Sequence, residues 1–364
     1  MAYTTIDDSS EHFQVETYTG AGANTAVTFS GNSNLKPDLL WIKNRGADYS
    51  HFVVDSNRNI SYAQNSSNAP YLEADTDAAE NNNNNWMSSV ASDGFTTGIS
   101  EHINSTASST FVAWAWKANG GTTASNTSGS LNSTVQANTD AGFSIVSFTG
   151  NGTDGATVGH GLGAVPAMVI FKCRDTGNTD WRVYHQSISP TNAVSLSDAG
   201  AQYDASGIFG GTFTSTLLKV ENDTGANRNT SPMIAYCFTD IQGYSKFGSY
   251  VGNGQAQDGP FVYLGFKPAF IMIKNSETAN RNWYMFDNAR RTFNPNGLKF
   301  NADTAGQEAT DQAIDMLSNG FKVKPSALGS FGTSVLNHSG QKLIYMAFAE
   351  NPLVTSTGIP TTAR

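Results

Sequence analysis

The chain has 364 residues, a formal net charge of -9 and a pI near 5.1, and its few Lys and Arg are scattered rather than clustered. Such a balance supplies no phosphate-binding groove, which argues against a nucleic-acid partner. No apolar stretch of about 18 residues and no charged-then-apolar leader is seen, so neither membrane insertion nor secretory export is expected.

The first twelve residues are short and polar and stand outside the pattern that follows. From Tyr18 onward one motif is written three times. An aromatic followed two residues later by Gly (Tyr18 and Gly20, Phe148 and Gly150, Tyr250 and Gly252) is answered by PDLLWIK at Pro37, PAMVIFK at Pro166 and PAFIMIK at Pro268. The aromatic precedes its Pro by 19, 18 and 18 residues, and Lys43, Lys172 and Lys274 each lie 6 residues past the Pro. Spacing that holds while the residues between drift means one structural unit used three times.

The copies continue in parallel. His51, Trp181 and Trp283 come next, followed four residues on by Asp55, His185 and Asp287, with Arg58 and Arg290 three further along. Copies one and three share Ala-Asp-Thr, at Ala74 to Thr76 and Ala302 to Thr304, then Glu80 and Glu308; copy two lacks this element. Each closes on an aromatic-rich run: FVAWAW from Phe111, MIAYCF from Met233 and LIYMAF from Leu343. The domain boundaries follow as 1–118, 119–243 and 244–364.

Short runs rich in Val, Ile, Phe, Tyr and Trp alternate with Gly, Asn, Asp, Ser and Thr clusters, the signature of strands and turns. FVAWAW is apolar on both faces, as an inner strand requires, and GFSIVSF sets Phe143 and Ile145 against Val146 and Phe148. Pro37, Pro166 and Pro268 mark strand starts, where a missing amide donor does least harm. Gln307 to Leu317 carries Ala309, Ala313, Ile314 and Leu317 at helical spacing. Its counterpart in copy one, the Asn run 81–85, disfavours helix, so a loop with at most a turn of helix is expected. Asn119 to Ala141 has the composition of a flexible linker, within which SGSLNSTVQAN (128–138) offers an alternative edge strand for copy two. The fold expected is all-β: three repeated antiparallel β-sandwich domains of jelly-roll type, with aromatics supplying much of the core.

Chemistry is sparse. Cys173 and Cys237 sit on apolar runs and read as buried free thiols. Gly159 to Gly163 precedes a strand rather than a helix, which makes it a turn and not a phosphate loop. The six His show no metal-ligand spacing, and Asp75 with Asp77 lacks the remainder of a Ca²⁺ loop, so no metal and no cofactor is expected. The recurrent acids recur because the unit does, whereas catalytic carboxylate pairs are seldom duplicated; ion pairs Asp55–Arg58 and Asp287–Arg290 are the plainer account. Lys43, Lys172, Lys274, Trp181, Trp283, Asp55 and Asp287 are candidate glycan or interface contacts. One reading makes the indoles sugar-stacking platforms; the other has Trp capping a core and Lys ending a strand.

The opening MAYTTIDDSSEHFQVETYTG, the runs PDLLWIKNR and FVAWAWKANGG, the phrase DAGFSIVSFTGNGTDGATVGHGLGAVPAMVIFK and the tail YMAFAENPLVTSTGIPTTAR together resemble a family of virion proteins of marine tailed bacteriophages. The resemblance runs through nearly the whole chain. It implies concanavalin-like or laminin-G-like sandwiches in a non-enzymatic tail-fibre or structural protein, made in the host cytoplasm and carried on the particle exterior. Other virion proteins, host surface glycans and a homo-oligomer, with a trimer favoured, are the implied partners. On this reading Met1, Tyr3, Asp7, Asp8 and His12 are the candidate docking residues. A capsid decoration, a carbohydrate-binding module and a polysaccharide depolymerase are the alternatives. KCRD in place of KNR, and the absent Ala-Asp-Thr, set copy two apart.

Overall fold

The computed structural model describes residues 3–58, 70–82, 86–105, 108–255, 258–324 and 335–361, and the protein is all-β, with several antiparallel sheets. Three of these are large, and each is drawn from one stretch of the chain. In the first, Phe13–Thr19 pairs with Thr110–Trp116, which pairs with Leu39–Asn44, which pairs with Phe52–Asp55. The second repeats this order with Phe143–Thr149, Pro232–Phe238, Met168–Cys173 and Arg182–His185. The third repeats it with Ser245–Val251, Lys342–Pro352, Phe266–Asn275 and Trp283–Asp287. Each aromatic-rich closing strand is thus an inner strand, consistent with its two apolar faces.

The two faces of each large sheet serve different cores. One face packs on a smaller sheet: Leu40, Ile42, Phe52 and Ala113 meet Val27, Met87 and Phe95, and corresponding clusters lie in the other two stretches. The opposite faces converge on a common core that draws Trp41, Trp114, Ile145, Ile170, Trp181, Tyr236, Phe270, Trp283 and Met346 from all three. An apolar void of about 20 Å³ remains there, lined by Trp41, Ile170, Trp181, Tyr236, Phe270 and Met346 among others. Period-2 alternation explains the division, since Phe143 and Ile145 enter the shared core and Val146 and Phe148 the local one.

The recurrent glycines are steric. A Cβ on Gly20, Gly150 or Gly252 would collide with the carbonyl oxygen of Ser105, Arg228 or His338 respectively, so the same close backbone approach is made three times.

Two expectations are decided by pairing. Of the two readings of 119–141 the edge strand holds: Ser133–Asn138 pairs outside Phe143–Thr149 and Ala124–Asn126 outside that, giving eight strands in that sheet. Ile314–Leu317 is a strand paired with Gly320–Val323, so the helical spacing around it misleads; the tight Ser318-Asn319 connection into Gly320 selects a hairpin. Both cysteines are free and buried.

Candidate functional site

The recurrent polar residues meet where one stretch of chain abuts the next. Lys43, Lys172 and Lys274 are each the next-to-last residue of a strand and have no solvent exposure. Lys43 Nζ donates to the carbonyls of Ala305 (2.9 Å) and Asn44 (3.1 Å), Lys172 Nζ to Thr179 O (2.5 Å), and Lys274 Nζ to Arg281 O (2.5 Å) and, more distantly, Asp198 O (3.4 Å). Burial lowers all three amines to about 8, against opposing carboxylates led by Asp75, Asp77 and Asp303 respectively. The ammonium groups stand 5.3, 5.8 and 5.9 Å from the rings of Phe300, Trp181 and Trp283.

The next recurrent position reaches into a neighbouring stretch each time. Trp181 Nε1 donates to Glu73 O at 3.0 Å and Trp283 Nε1 to Ser195 O at 2.7 Å. His51 takes the same place: Trp41 Nε1 donates to its Nδ1 at 2.8 Å, so the hydrogen is on Nε2 and goes to Asn301 O at 3.0 Å. Burial holds that ring neutral, well below the usual histidine range, with the Lys43 charge acting in the same direction. The backbone amides at these positions donate to Asp75 (2.7 Å), Asp303 (3.0 Å) and Ser197 (3.4 Å). Ser197 therefore stands where copies one and three carry the Asp of Ala-Asp-Thr.

Two of the three junctions carry an enclosed charge cluster. At the first, Asp55 accepts from Arg58 Nε at 2.5 Å and from Tyr236 OH at 2.6 Å, while Arg58 Nη1 reaches Glu80 at 2.9 Å and Glu80 is clasped by Arg174. At the next, Asp287 accepts from Arg290 Nε at 2.6 Å and Trp114 Nε1 at 3.0 Å, Arg290 Nη1 reaches Glu308 at 3.1 Å, and Glu308 is clasped by Arg45. Both predicted ion pairs are present, with side chains inaccessible to solvent. The third junction is neutral. His185 replaces the Asp, donating from Nε2 to Tyr345 O at 3.1 Å because its Nδ1 accepts from Ser187 N; Ile188 replaces the Arg, and Gln202 and Ser276 meet through their backbones at 2.7 Å. Burial lowers His185 to about 4.

The inter-stretch partners Arg45 with Glu308 and Arg174 with Glu80 escaped sequence reading. Their signal was comparative: the third copy has Ser276 in place of Arg, and the second Gln202 in place of Glu, so the charges vanish together. Glycan contact through the named residues is corrected by geometry. Lys43, Lys172, Lys274, Trp181, Trp283, Asp55 and Asp287 are all at most 1% exposed, and a sugar ring cannot stack on an indole enclosed on both faces.

The segment assigned to docking is tied to its own chain. Tyr3 OH donates to Gly265 O (2.6 Å), Asp7 accepts from Ser356 N (2.6 Å), Asp8 accepts from Ser33 Oγ (2.7 Å), and His12 Nδ1 lies 3.1 Å from Asn138 Nδ2. Thr4 and Ile6 are buried, so this segment fastens the molecule instead of standing free; Met1 lies outside the described residues.

Among the described residues no three His, Cys, Asp or Glu gather as a metal site, and no helix is long and apolar enough to cross a membrane. No curated protein and no solved structure matches the chain. Residues 8–352, which include all three large sheets, match the family described as a domain of unknown function, DUF7483. The chain belongs to the DUF7483 family.

Proposed function

We propose that this protein is a non-enzymatic structural component of a tailed-phage particle, carried on the tail or capsid surface and built from three β-sandwich units closed about a pseudo-threefold axis. The observation that carries the reading is that the residues recurring in two or all three of the copies are enclosed where the stretches abut, holding neighbouring sheets together instead of facing a cleft. Selection on such positions maintains a rigid body. The phrase-level likeness to phage virion proteins supplies the setting, and an acidic surface is compatible with it. A carbohydrate-binding role would have to use surface rings, since the recurrent ones are enclosed.

Immunogold electron microscopy of phage particles carrying the gene, with antibody raised against the purified chain, tests the proposal. Label on the particle exterior is expected, on tail or head. Absence of the chain from purified particles overturns it. Light scattering of the purified chain tests the trimer, and release of reducing ends from host polysaccharide would favour the depolymerase reading instead.

A further inference from the structure

Three edge strands face three turns at the junctions, and their surroundings differ. The turn Ser56–Arg58 faces Phe143–Thr149, which it touches through Asn57 (Nδ2 to Ile145 O at 3.2 Å, Oδ1 from Ser147 Oγ at 2.7 Å), and Ser133–Asn138 pairs along the outer side of that strand from Ser133↔Phe148 to Asn138↔Phe143. Asn57 Nδ2 holds the inserted strand through Thr134 O at 3.0 Å, and Ser56 Oγ through Gln136 at 2.7 Å. Where Gln186 faces Ser245–Val251, the edge is closed by direct bonds: Gln186 Nε2 to Phe247 O (2.6 Å) and Phe247 N to Asp240 (2.7 Å). Where Asn288 and Ala289 face Phe13–Thr19, the corresponding space is an open groove of about 390 Å³, walled by Phe13, Gln14, Val15, Asn288, Ala289 and Glu350.

We propose that this groove is a strand-acceptor site, which takes an extended segment of another protein antiparallel to Phe13–Thr19. The ladder fixes which groups are offered. Gly20 N donates to Ser109 O and Lys117 N to His12 O, so the even positions bond inward to Thr110–Trp116, and the outward groups belong to Phe13, Val15, Thr17 and Thr19, of which Thr17 N donates to Glu16 Oε1 at 3.2 Å. The same parity in the middle stretch turns Phe143, Ile145 and Ser147 toward Ser133–Asn138. Phe13–Thr19 reads FQVETYT, seven residues of which five are β-prone, without Pro, Lys or a bulge, at the end of its sheet; proteins usually blunt such an edge. Strand addition uses it instead.

The middle stretch also indicates the occupant's character. STVQAN, small, β-branched and uncharged, fits the equivalent space. Asp8 and Glu350 border the groove and Glu16 lies on the strand, with Lys267 paired to Glu350, so a basic residue at one end of the incoming segment is favoured. A second copy offering its own Phe13–Thr19 would bring these acids together in a chain of net charge -9, which selects a different protein as donor.

The test uses a dye-labelled peptide copying residues 131–139 with one lysine added at its C terminus, titrated onto the full chain by fluorescence polarisation. Saturable binding is expected, with slowed hydrogen exchange at Val15. Val15→Pro removes one outward N–H without touching the inward ladder, so the variant should keep its unfolding midpoint and bind roughly tenfold more weakly. If that variant unfolds, Ala289→Trp fills the groove from the opposite wall and should block the peptide. No binding at about 1 mM, the millimolar limit of weak recognition, overturns the proposal. So does binding indifferent to both substitutions, or a concentration-dependent dimer of the chain alone that either substitution dissolves.

Discussion

Replacing Arg58 by Ile, the residue found at the equivalent place in the neutral junction, isolates the role of the enclosed charges. The guanidinium side chain has no solvent exposure, and it bonds Asp55 (2.5 Å), Glu80 (2.9 Å) and the carbonyl of Val53 (3.2 Å). Its loss leaves the Asp55 carboxylate buried with Tyr236 OH and the residue-58 amide but no countercharge, while Glu80 keeps Arg174. Removing one partner of such a pair costs about 3–5 kcal/mol, whereas exchanging the whole pair for neutral groups that pack is close to neutral. The combined variant Asp55→His, Arg58→Ile, Glu80→Gln, Arg174→Ser copies the His185, Ile188, Gln202 and Ser276 arrangement, and so should be more stable than Arg58→Ile alone. Urea unfolding of the parent, the combined variant and each of its single changes, followed by tryptophan fluorescence, supplies the comparison, with a favourable coupling of at least about 2 kcal/mol expected. A combined variant as unstable as the sum of its single changes would refute the reasoning, because it would mean that packing at this junction, not charge compensation, sets the cost.

Other consequences are open to measurement. Lys43, Lys172 and Lys274 hold protons more weakly folded, at about 8, than at their ordinary value of 10.5, so between those limits the unfolded chain binds more protons and stability rises with pH. Urea midpoints should climb from pH 8 toward 10, by up to ~1.4 kcal/mol per pH unit for each lysine, and a flat or falling profile would contradict the assignment. Trp283→Ala removes a core ring and leaves Ser195 O without its indole donor, so a loss of about 3–5 kcal/mol in urea unfolding is expected; a loss under about 1 kcal/mol would argue against its place in the shared core. Cys173 and Cys237 are enclosed and burial pushes the Cys237 thiol up to about 12, so neither should react with a thiol reagent in the folded protein, and both should react in denaturant.

Much of the local architecture was legible in the sequence because it rests on short-range rules. Alternation marked the strand Phe143–Thr149 and its two faces, and the double apolar character of FVAWAW marked an inner strand. The spacing of Arg58 from Asp55 and of Arg290 from Asp287 was enough to predict both ion pairs. The helical spacing near Ile314 misled because four apolar residues suit either period, and pairing with Gly320–Val323 decides between them. The Ser/Thr-rich run before Phe143 could be read as linker or edge strand because composition does not report the unpaired edge beside it.

What composition and spacing could not give was the set of partners across junctions, since Arg45 and Glu308 are 263 residues apart. Comparison within the chain recovers them on physical grounds. A buried charge left alone costs several kcal/mol, so the members of a cluster must be gained or lost as a set. At the neutral junction Asp, Arg, Glu and Arg have become His185, Ile188, Gln202 and Ser276, the last two contributed from opposite sides of the contact, while the backbone bond between them is kept at 2.7 Å. The same bond joins Glu80 N to Arg174 O at 2.6 Å and Glu308 N to Arg45 O at 3.0 Å. Backbone geometry is therefore the invariant of these contacts, and the charges are one of two side-chain solutions built upon it. Exchanging one solution for the other as a complete set should preserve the contact, and exchanging part of it should not.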